Sequence, residues 1–175
     1  MDFWKKVIFS DESKFEIFTP PSIQKIWRKN KTALEPKNVL STLKYGGGNV
    51  MVWGCVAHNG ADNLAFIDNK MKSLAYIDVL RHNLLDSAKK LSMENTFIFQ
   101  QDNDLKHTAI VIETWLLYHT PRRLETPPQS PDLNPIENVW IHLDKFRKKN
   151  VTNKENFKKN FKKFGTPLTQ KSQRN

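Results

Sequence analysis

Residues 96–104, TFIFQQDND, pass from a short apolar run directly into an acidic turn. The apolar run is typical of a buried strand, and the two residues after Asp102 are common turn formers. Asp102 is therefore expected just beyond the carboxyl end of a strand, where α/β sheets commonly bind ligands. Near the amino terminus, VIFSD at residues 7–11 repeats this pattern and ends in Asp11. Two strands that each lead into an aspartate predict an acidic site at one edge of a sheet.

The amino-terminal stretch leaves open which of two adjacent acids faces such a site. Side chains alternate along a strand, so Val7, Phe9 and Asp11 share one face, while Ser10 and Glu12 share the other. Periodicity does not choose between the two faces. A carboxylate at the end of a strand is also commonly a solvated loop residue, which is the alternative to a functional role.

A third acid, Glu137, lies in SPDLNPIENVW at residues 130–140, and 34 residues separate it from Asp102. Asn134 and Pro135 fit the start of a helix, with asparagine as the cap and proline at the first helical position. Glu137 could then bond back to the cap residue, as in a capping box. Spacing alone favours capping over catalysis, although the first turn would hold the side chain rigidly in either role.

The rest of the pattern predicts a mixed α/β domain. Short apolar runs and turns predict a strand meander first, and alternating helices and strands follow. Helical spacing of apolar residues is clearest in the middle of the chain and after Pro135. The predicted strands are Val7–Asp11, Phe15–Phe18, Ile23–Arg28, Val50–Val56, Leu64–Ile67, Thr96–Gln101 and Arg123–Thr126, and the predicted helices are Ser73–Leu91, Thr108–Tyr118 and one from Ile136 to about Phe146.

Length and composition exclude several classes of protein. A chain of 175 residues with 38% hydrophobic residues is expected to form one folded domain. No apolar run approaches the roughly 20 residues of a membrane-spanning helix, and no secretory signal is recognisable at the start. Cys55 is the single cysteine, which excludes an internal disulfide and a thiolate cluster for zinc. A reducing compartment, the cytosol or the nucleus, is the expectation.

The net charge of +10 is concentrated at one end of the chain. Residues 144–175 hold 11 Lys/Arg against 2 Asp/Glu, so we predict a core at residues 1–150 and a basic, poorly ordered tail at residues 151–175. Such a segment favours binding to a polyanion, with a simply solvated end as the alternative. His107 could also contact a phosphate, although a histidine at a helix start is commonly structural. The candidate DNA contacts are His107, Lys145, Arg147, Lys148, Lys149, Lys158, Lys159, Lys162 and Lys163.

Four stretches together resemble the catalytic core of Tc/mariner transposases. They are VIFSDESKF, GGGNVMVWGC, FIFQQDNDLKHTA and PPQSPDLNPIENVW, and the resemblance runs from about Phe3 to Asn150. It implies an RNase H-like fold, a mixed sheet flanked by helices. It also implies two aspartates and one glutamate that bind two Mg²⁺ or Mn²⁺ ions. Position by position, these acids fall on Asp11, Asp102 and Glu137, which leaves Glu12 and Asp104 in supporting or structural roles.

The resemblance further implies a function, metal-dependent DNA cleavage and strand transfer in cut-and-paste transposition. The expected partners are transposon ends and target DNA, with assembly as a homodimer, no membrane, and the nucleus as the location. Family members also carry amino-terminal helix-turn-helix modules, which we do not find here, and Leu105 replaces a usual proline. We therefore expect a truncated copy with its acids intact. The alternatives are an inactive or host-adopted DNA-binding remnant and a simple RNase H-like nuclease.

Overall fold

A five-stranded mixed sheet organises the chain in the computed structural model. The structure describes residues 3–17, 48–67, 71–127, 130–150 and 153–161. The strand order across the sheet is β3-β2-β1-β4-β5, in which β1, β2 and β3 are antiparallel neighbours and β4 and β5 run parallel to β1. The strands are β1 (Val7–Glu16), β2 (Asn49–Ala57), β3 (Gly60–Ile67), β4 (Ile98–Gln100) and β5 (Arg122–Leu124).

Helices cover both faces of this sheet. One helical segment between β3 and β4 contains a π turn at Leu80–Leu84. None of the described helices is both long and apolar enough to cross a membrane. The helices are α1 (Ser73–Val79), α2 (Leu85–Lys90), α3 (Ile110–His119), α4 (Ile136–Asn150) and α5 (residues 154–161), with 3₁₀ turns at Phe3–Lys6 and Pro131–Leu133.

The alternation of side chains along β1 divides the apolar core into two layers. Val7 and Phe9 belong to a cluster with Ile136 and Trp140, which we call the α4-side core. Ile8 points the opposite way, into a cluster with residues of α1, α2 and α3, which we call the α1–α3-side core. Because β1 is the central strand, Val7–Phe9 are buried on both faces. This explains why the segment is continuously apolar.

The predicted α/β class, the opening meander and the single helical stretch at residues 73–91 are confirmed. One strand boundary is wrong. Phe15–Phe18 is not a strand of its own, because β1 continues without a break to Glu16 and pairs with β2 along its whole length from Ile8 onward. Phe15 stays in that strand since its buried ring packs in the α4-side core. The predicted strand Ile23–Arg28 lies outside the described residues.

The segment after residue 150 also differs from the prediction. Residues 154–161 form α5, in which Phe157 and Phe161 are both 1% exposed and join the α4-side core. Their rings lie 5.5 and 5.6 Å from the ring of Phe15, measured between centroids. Residues four apart share one side of a helix, so two phenylalanines suffice to anchor this short helix. Residues 154–161 therefore belong to the folded core rather than to a tail.

Arg147 has a structural role that contradicts the predicted contact with DNA. Its guanidinium is 5% exposed and donates hydrogen bonds to the main-chain carbonyls of Glu16 and Ile17, the latter at 3.3 Å. Its Nε also donates to Asp144 at 2.8 Å. The side chain thus joins α4 to the end of β1. A buried cation with these partners is not available to a phosphate.

Replacing Arg147 with methionine is expected to destabilise the fold. The apolar stem would remain, but the carbonyls of Glu16 and Ile17 and the Asp144 carboxylate would lose their donor, at a cost of about 2–3 kcal/mol in the free energy of unfolding. Denaturant unfolding measures this change. Lys145→Met, on the exposed side of the same helix, is the matched control and should stay within about 0.5 kcal/mol. Equal losses in the two variants would contradict the structural role.

Candidate active site

Asp11 lies in β1 just beyond the residues that pair with β4. The parallel pairing of β1 with β4 covers only Val7–Phe9, and β4 ends at Gln100. On the other side, β2 continues alongside and places Gly54 opposite Asp11. From Ser10 onward, β1 therefore has no strand partner on the β4 side, and this leaves room beside Asp11. Asp11 is within β1 and not at its end as predicted, but it follows directly on the residues that pair with β4.

The two adjacent acids of β1 face opposite sides of the sheet. Asp11 points toward α4, where the indole Nε1 of Trp140 donates a hydrogen bond to its Oδ2 at 2.8 Å. Glu12 points toward the α1–α3 side, where Lys106 Nζ lies 3.1 Å from its Oε2 and His107 Nε2 lies 3.3 Å from its Oε1. The sequence left open which of the two acids faces which side of the sheet, and these contacts decide it.

The environment of Asp11 disfavours its charged form. Burial is the largest cause and raises the pKa of Asp11 to about 6, against the lowering effect of the Trp140 hydrogen bond. The nearby negative charges of Glu12 and Glu137 raise this pKa further. A carboxylate in this position would be stabilised by a cation.

Glu137 is positioned by a helix start of the predicted kind. Asn134 Oδ1 accepts the Ile136 N–H at 3.3 Å, and the Asn134 carbonyl accepts the Glu137 N–H at 3.2 Å. Asn134 Nδ2 also donates to the Ser10 carbonyl at 3.1 Å, which attaches the start of α4 to β1. The main-chain N–H of Asn134 donates to Pro131, so it is not the partner of a capping box with Glu137.

Asp102 is held by a buried histidine. His107 is 2% exposed, its Nδ1 makes a short hydrogen bond with Asp102 Oδ1, and its ring stacks on Tyr76 with centroids 4.2 Å apart. Its other nitrogen faces Glu12. Both ring nitrogens are therefore directed at carboxylates within the fold. This burial contradicts the predicted contact of His107 with a phosphate and agrees with the structural alternative.

These contacts change the protonation of His107. Burial acts to lower its pKa, but the hydrogen bond with Asp102 and the negative charges of Glu12 and Asp102 outweigh it and raise the pKa to about 9. The hydrogen bond from His107 is also the main reason that the pKa of Asp102 is lowered. His107 is therefore a buried cation between two carboxylates at neutral pH.

The three predicted acids line a single cleft of about 410 Å³. Two of the lining segments are joined by a hydrogen bond. Asn103 Nδ2, in the loop after β4, donates to the carbonyl of Thr126, in the segment after β5, at 2.8 Å. This volume is within the range of ligand-binding clefts in proteins. The other lining residues are Gln100, Asn103, Asp104, Thr126, Pro127, Ser130, Pro131 and Asn134.

The donors of this cleft suit a hard divalent cation. Carboxylate oxygens are the ligands that Mg²⁺ and Mn²⁺ prefer, and the raised pKa of Asp11 records a charge that lacks compensation. Within the described ranges, no three His, Cys, Asp or Glu side chains are close enough to hold one metal ion together.

Of the remaining predicted DNA contacts, the structure describes the side chains of Lys145, Lys158 and Lys159, and none of these three lines the cleft. Lys145 and Lys159 are exposed, and the ammonium group of Lys158 lies 5.5 Å from the centre of the Phe66 ring. Lys148 and Lys149 belong to α4, but their side chains are outside the described part of the structure, as are Lys162 and Lys163 altogether. Their contact with DNA stays a prediction.

A family profile described as DDE superfamily endonuclease matches residues 6–160. The chain belongs to this family. It is 42% identical over 142 residues to the Tcb2 transposase of Caenorhabditis briggsae and 37% identical over 142 residues to the Tc1 transposase of Caenorhabditis elegans. Each alignment covers 81% of this chain and 52% of the relative. The chain thus spans about half the length of these relatives.

The fold of this DDE family member matches solved structures of a mariner transposase. The catalytic domain of Mos1 superimposes with a TM-score of 0.68 at 16% identity, covering 94% of this chain and 71% of that one. The pre-cleavage Mos1 transpososome gives a TM-score of 0.73 at 16% identity, covering 94% of this chain and 49% of that one. The predicted RNase H-like fold, with a mixed sheet flanked by helices, is confirmed.

The sequence did not reveal how the acids of this DDE core are supported. The sequence shows Trp140 only as one apolar residue of the predicted helix from Ile136 to about Phe146, yet its indole N–H donates a hydrogen bond to Asp11. Its position three residues after Glu137, on the same side of α4, is the one indication that the sequence offered. The contact between Glu12 and His107 joins residues 95 positions apart, so local patterns could not predict it.

The buried histidine predicts a specific dependence of stability on pH. Its folded pKa of about 9 exceeds the unfolded value of 6.5, so its contribution is fully present below pH 6.5 and is lost as pH rises through 9. Between pH 6 and 10, wild type should lose on the order of 2–3 kcal/mol of unfolding free energy from this source. His107→Gln should lose much less over the same range, as measured by urea unfolding. Parallel curves for the two proteins would contradict the assignment.

Proposed function

We propose that this chain performs the metal-dependent DNA cleavage and strand transfer of a cut-and-paste transposase. The observation that carries the proposal is that Asp11, Asp102 and Glu137 all line one cleft. These acids come from distant parts of the sequence, namely β1, the loop after β4 and the first turn of α4, and they line one space of about 410 Å³. Membership of the DDE endonuclease family and the similarity to Tc transposases support the same conclusion.

Divalent cations are part of this proposal, as two ions of Mg²⁺ or Mn²⁺. The solved structures of the Mos1 catalytic domain include one with Mn and one with Mg, both together with Raltegravir. Here Asp11, Asp102 and Glu137 would hold the ions. When bound, two such ions supply activation of the attacking oxygen and stabilisation of the leaving oxygen in phosphodiester chemistry.

Neighbouring residues of the chain orient the three carboxylates of the cleft. Trp140 and His107 each engage one oxygen of an aspartate, Asp11 Oδ2 and Asp102 Oδ1 respectively. The cap at Asn134 fixes the first turn of α4, and Glu137 with it. With these contacts, the acids need little rearrangement when a substrate enters.

The proposed substrates are transposon ends and target DNA, with the nucleus as the site of action and a homodimer as the active assembly. Mos1 has been solved as a pre-cleavage transpososome, as a strand transfer complex and as paired-end complexes, one of them with Mg. Those structures concern a protein 16–17% identical to this chain. For this chain, the DNA partner and the dimer are inferred from the shared fold and family.

Nicking of supercoiled plasmid DNA tests the catalytic assignment. Asp11→Asn, Asp102→Asn and Glu137→Gln each remove one negative charge with little change of shape, and each should lower Mn²⁺-dependent nicking by more than about 100-fold, since loss of a ligand exceeds the usual loss from a supporting residue. Asp132→Asn is the matched control, because Asp132 is exposed in the same loop region but does not line the cleft. Full activity in any of the three variants would remove that residue from the site.

The same assay separates the alternatives. Wild-type protein that binds DNA but never nicks it with Mg²⁺ or Mn²⁺ would be a DNA-binding remnant. Nicking without joining of a supplied 3′-hydroxyl end to target DNA would indicate an RNase H-like nuclease. Joining that depends on the three acids supports the transposase. A size measurement in solution, with and without DNA, tests the homodimer.

The basic residues after Phe161 predict a salt-dependent contribution to DNA binding. A chain that ends at Phe161 keeps α5 but loses four basic residues and no acid. Each lost phosphate contact should reduce the slope of log K against log salt concentration by about 0.9. Fluorescence anisotropy of labelled duplex DNA measures the slope. An unchanged slope, in a truncated protein that unfolds at the wild-type temperature, would remove this segment from DNA binding.

A further inference from the structure

We infer that Trp140 is a positioning residue for the acidic cleft, and that Gly54 is the residue that makes room for it. By this inference, the indole N–H of Trp140 fixes the orientation of the Asp11 carboxylate toward the cation. The inference rests on the proposed function, because it assumes that Asp11 holds a divalent ion. It concerns a residue that touches neither substrate nor ion.

The hydrogen bond between Trp140 and Asp11 is long-range and well formed. Nε1 lies 2.8 Å from Asp11 Oδ2, across 129 positions in the sequence, and Trp140 is only 4% exposed. A buried indole N–H needs an acceptor, and here the acceptor is one oxygen of the carboxylate. The bond therefore restricts rotation of that carboxylate.

Gly54 allows the indole to reach this position. It lies opposite Asp11 in the pairing of β1 with β2. A Cβ atom at Gly54 would lie 2.7 Å from Cη2 of Trp140 and 2.8 Å from Cδ2 of Leu64, both closer than real Cβ contacts allow. The indole is also packed edge-on against Phe15, with ring centroids 5.9 Å apart. Even one methyl group on β2 would thus push a confined ring away from Asp11.

The same indole connects two of the three acids. Trp140 follows Glu137 by three residues, so both side chains lie on one side of α4. The position of the ring against β2 therefore fixes the rotation of α4 that presents Glu137 to the cleft. The charge of Glu137 acts on Asp11 across this short span. Displacement of the ring would disturb Asp11 directly and Glu137 through the helix.

Trp115 offers a matched control. It is also buried, at 7% exposed, and lies in the other core layer, stacked on His119 with centroids 4.3 Å apart. In the described part of the chain, its Nε1 has no hydrogen-bond partner. Tryptophan-to-phenylalanine changes at positions 115 and 140 remove similar volumes from the interior. Only the change at 140 removes a donor from an acid of the cleft.

Calorimetric titration of the full chain with Mn²⁺ tests the inference. Trp140→Phe should weaken Mn²⁺ binding about tenfold, the usual effect of losing a residue that orients a metal ligand. Trp115→Phe should bind Mn²⁺ like wild type, although both variants unfold at lower temperatures. Gly54→Ala should weaken Mn²⁺ binding in the same direction as Trp140→Phe. Wild-type affinity in a folded Trp140→Phe protein would overturn the inference.

A second measurement covers the case in which Trp140→Phe does not fold. Proton–nitrogen NMR spectra show the indole N–H of each tryptophan in the wild-type protein. Replacing Asp11 by alanine should shift the Trp140 indole signal and speed its exchange with water, since the acceptor is gone. The Trp115 signal should stay in place. An unchanged Trp140 signal would show that the hydrogen bond does not exist, which overturns the inference.

Failure of this inference can be told from failure of the proposed function. Asp11→Asn and Glu137→Gln belong in the same Mn²⁺ titration. If both bind Mn²⁺ as tightly as wild type, the cleft is not the metal site, and both proposals fall. If both lose binding while Trp140→Phe keeps it, the metal site stands, and Trp140 is only a core residue.

Discussion

The hydrogen bonding and packing around the site depend on the strict alternation of β1 at the centre of the sheet. Asp11 and Glu12 are adjacent in sequence, yet their side chains enter different layers and acquire different partners. Asp11 meets α4 through Trp140, whereas Glu12 meets the segment after β4 through His107, which in turn holds Asp102. One strand thereby supports the cleft from both faces. A shift of its register by one residue would exchange the two acids and break both sets of contacts.

This arrangement distributes positive charge unevenly among the acids. Glu12 and Asp102 have protein cations beside them, since His107 lies between them and Lys106 pairs with Glu12. Among the described residues, no ion pair reaches Asp11 or Glu137. The uncompensated charge is therefore concentrated on the α4 side of β1, where burial has already raised the pKa of Asp11.

Most of the sheet could be predicted from local patterns, because strands and helix starts are local features. Asn134 as a helix cap is of this kind. The choice of Asp11, Asp102 and Glu137 came from the resemblance to transposases, since local patterns left Asp11 against Glu12 open and favoured capping for Glu137. What could not be predicted depends on which distant surfaces meet. Arg147 looked like one more residue of a basic run, and only the carbonyl groups at the end of β1 show that it is buried. The partnership of Trp140 with Asp11 has the same origin.

Residues 154–161 show that a lysine-rich segment can still form a helix that packs in the core. Counting Lys and Arg suggested a tail, but lysines on a short amphipathic helix keep their ammonium groups near water while their stems cover apolar surface. The ammonium group of Lys158 lies over the Phe66 ring, and that ring packs against the buried Phe157 and Phe161. The four-residue spacing of these phenylalanines was visible in the sequence. This spacing indicates that one side of the helix is buried. It is a better guide here than net charge, because burial depends on where the apolar groups lie and not on how many charges surround them.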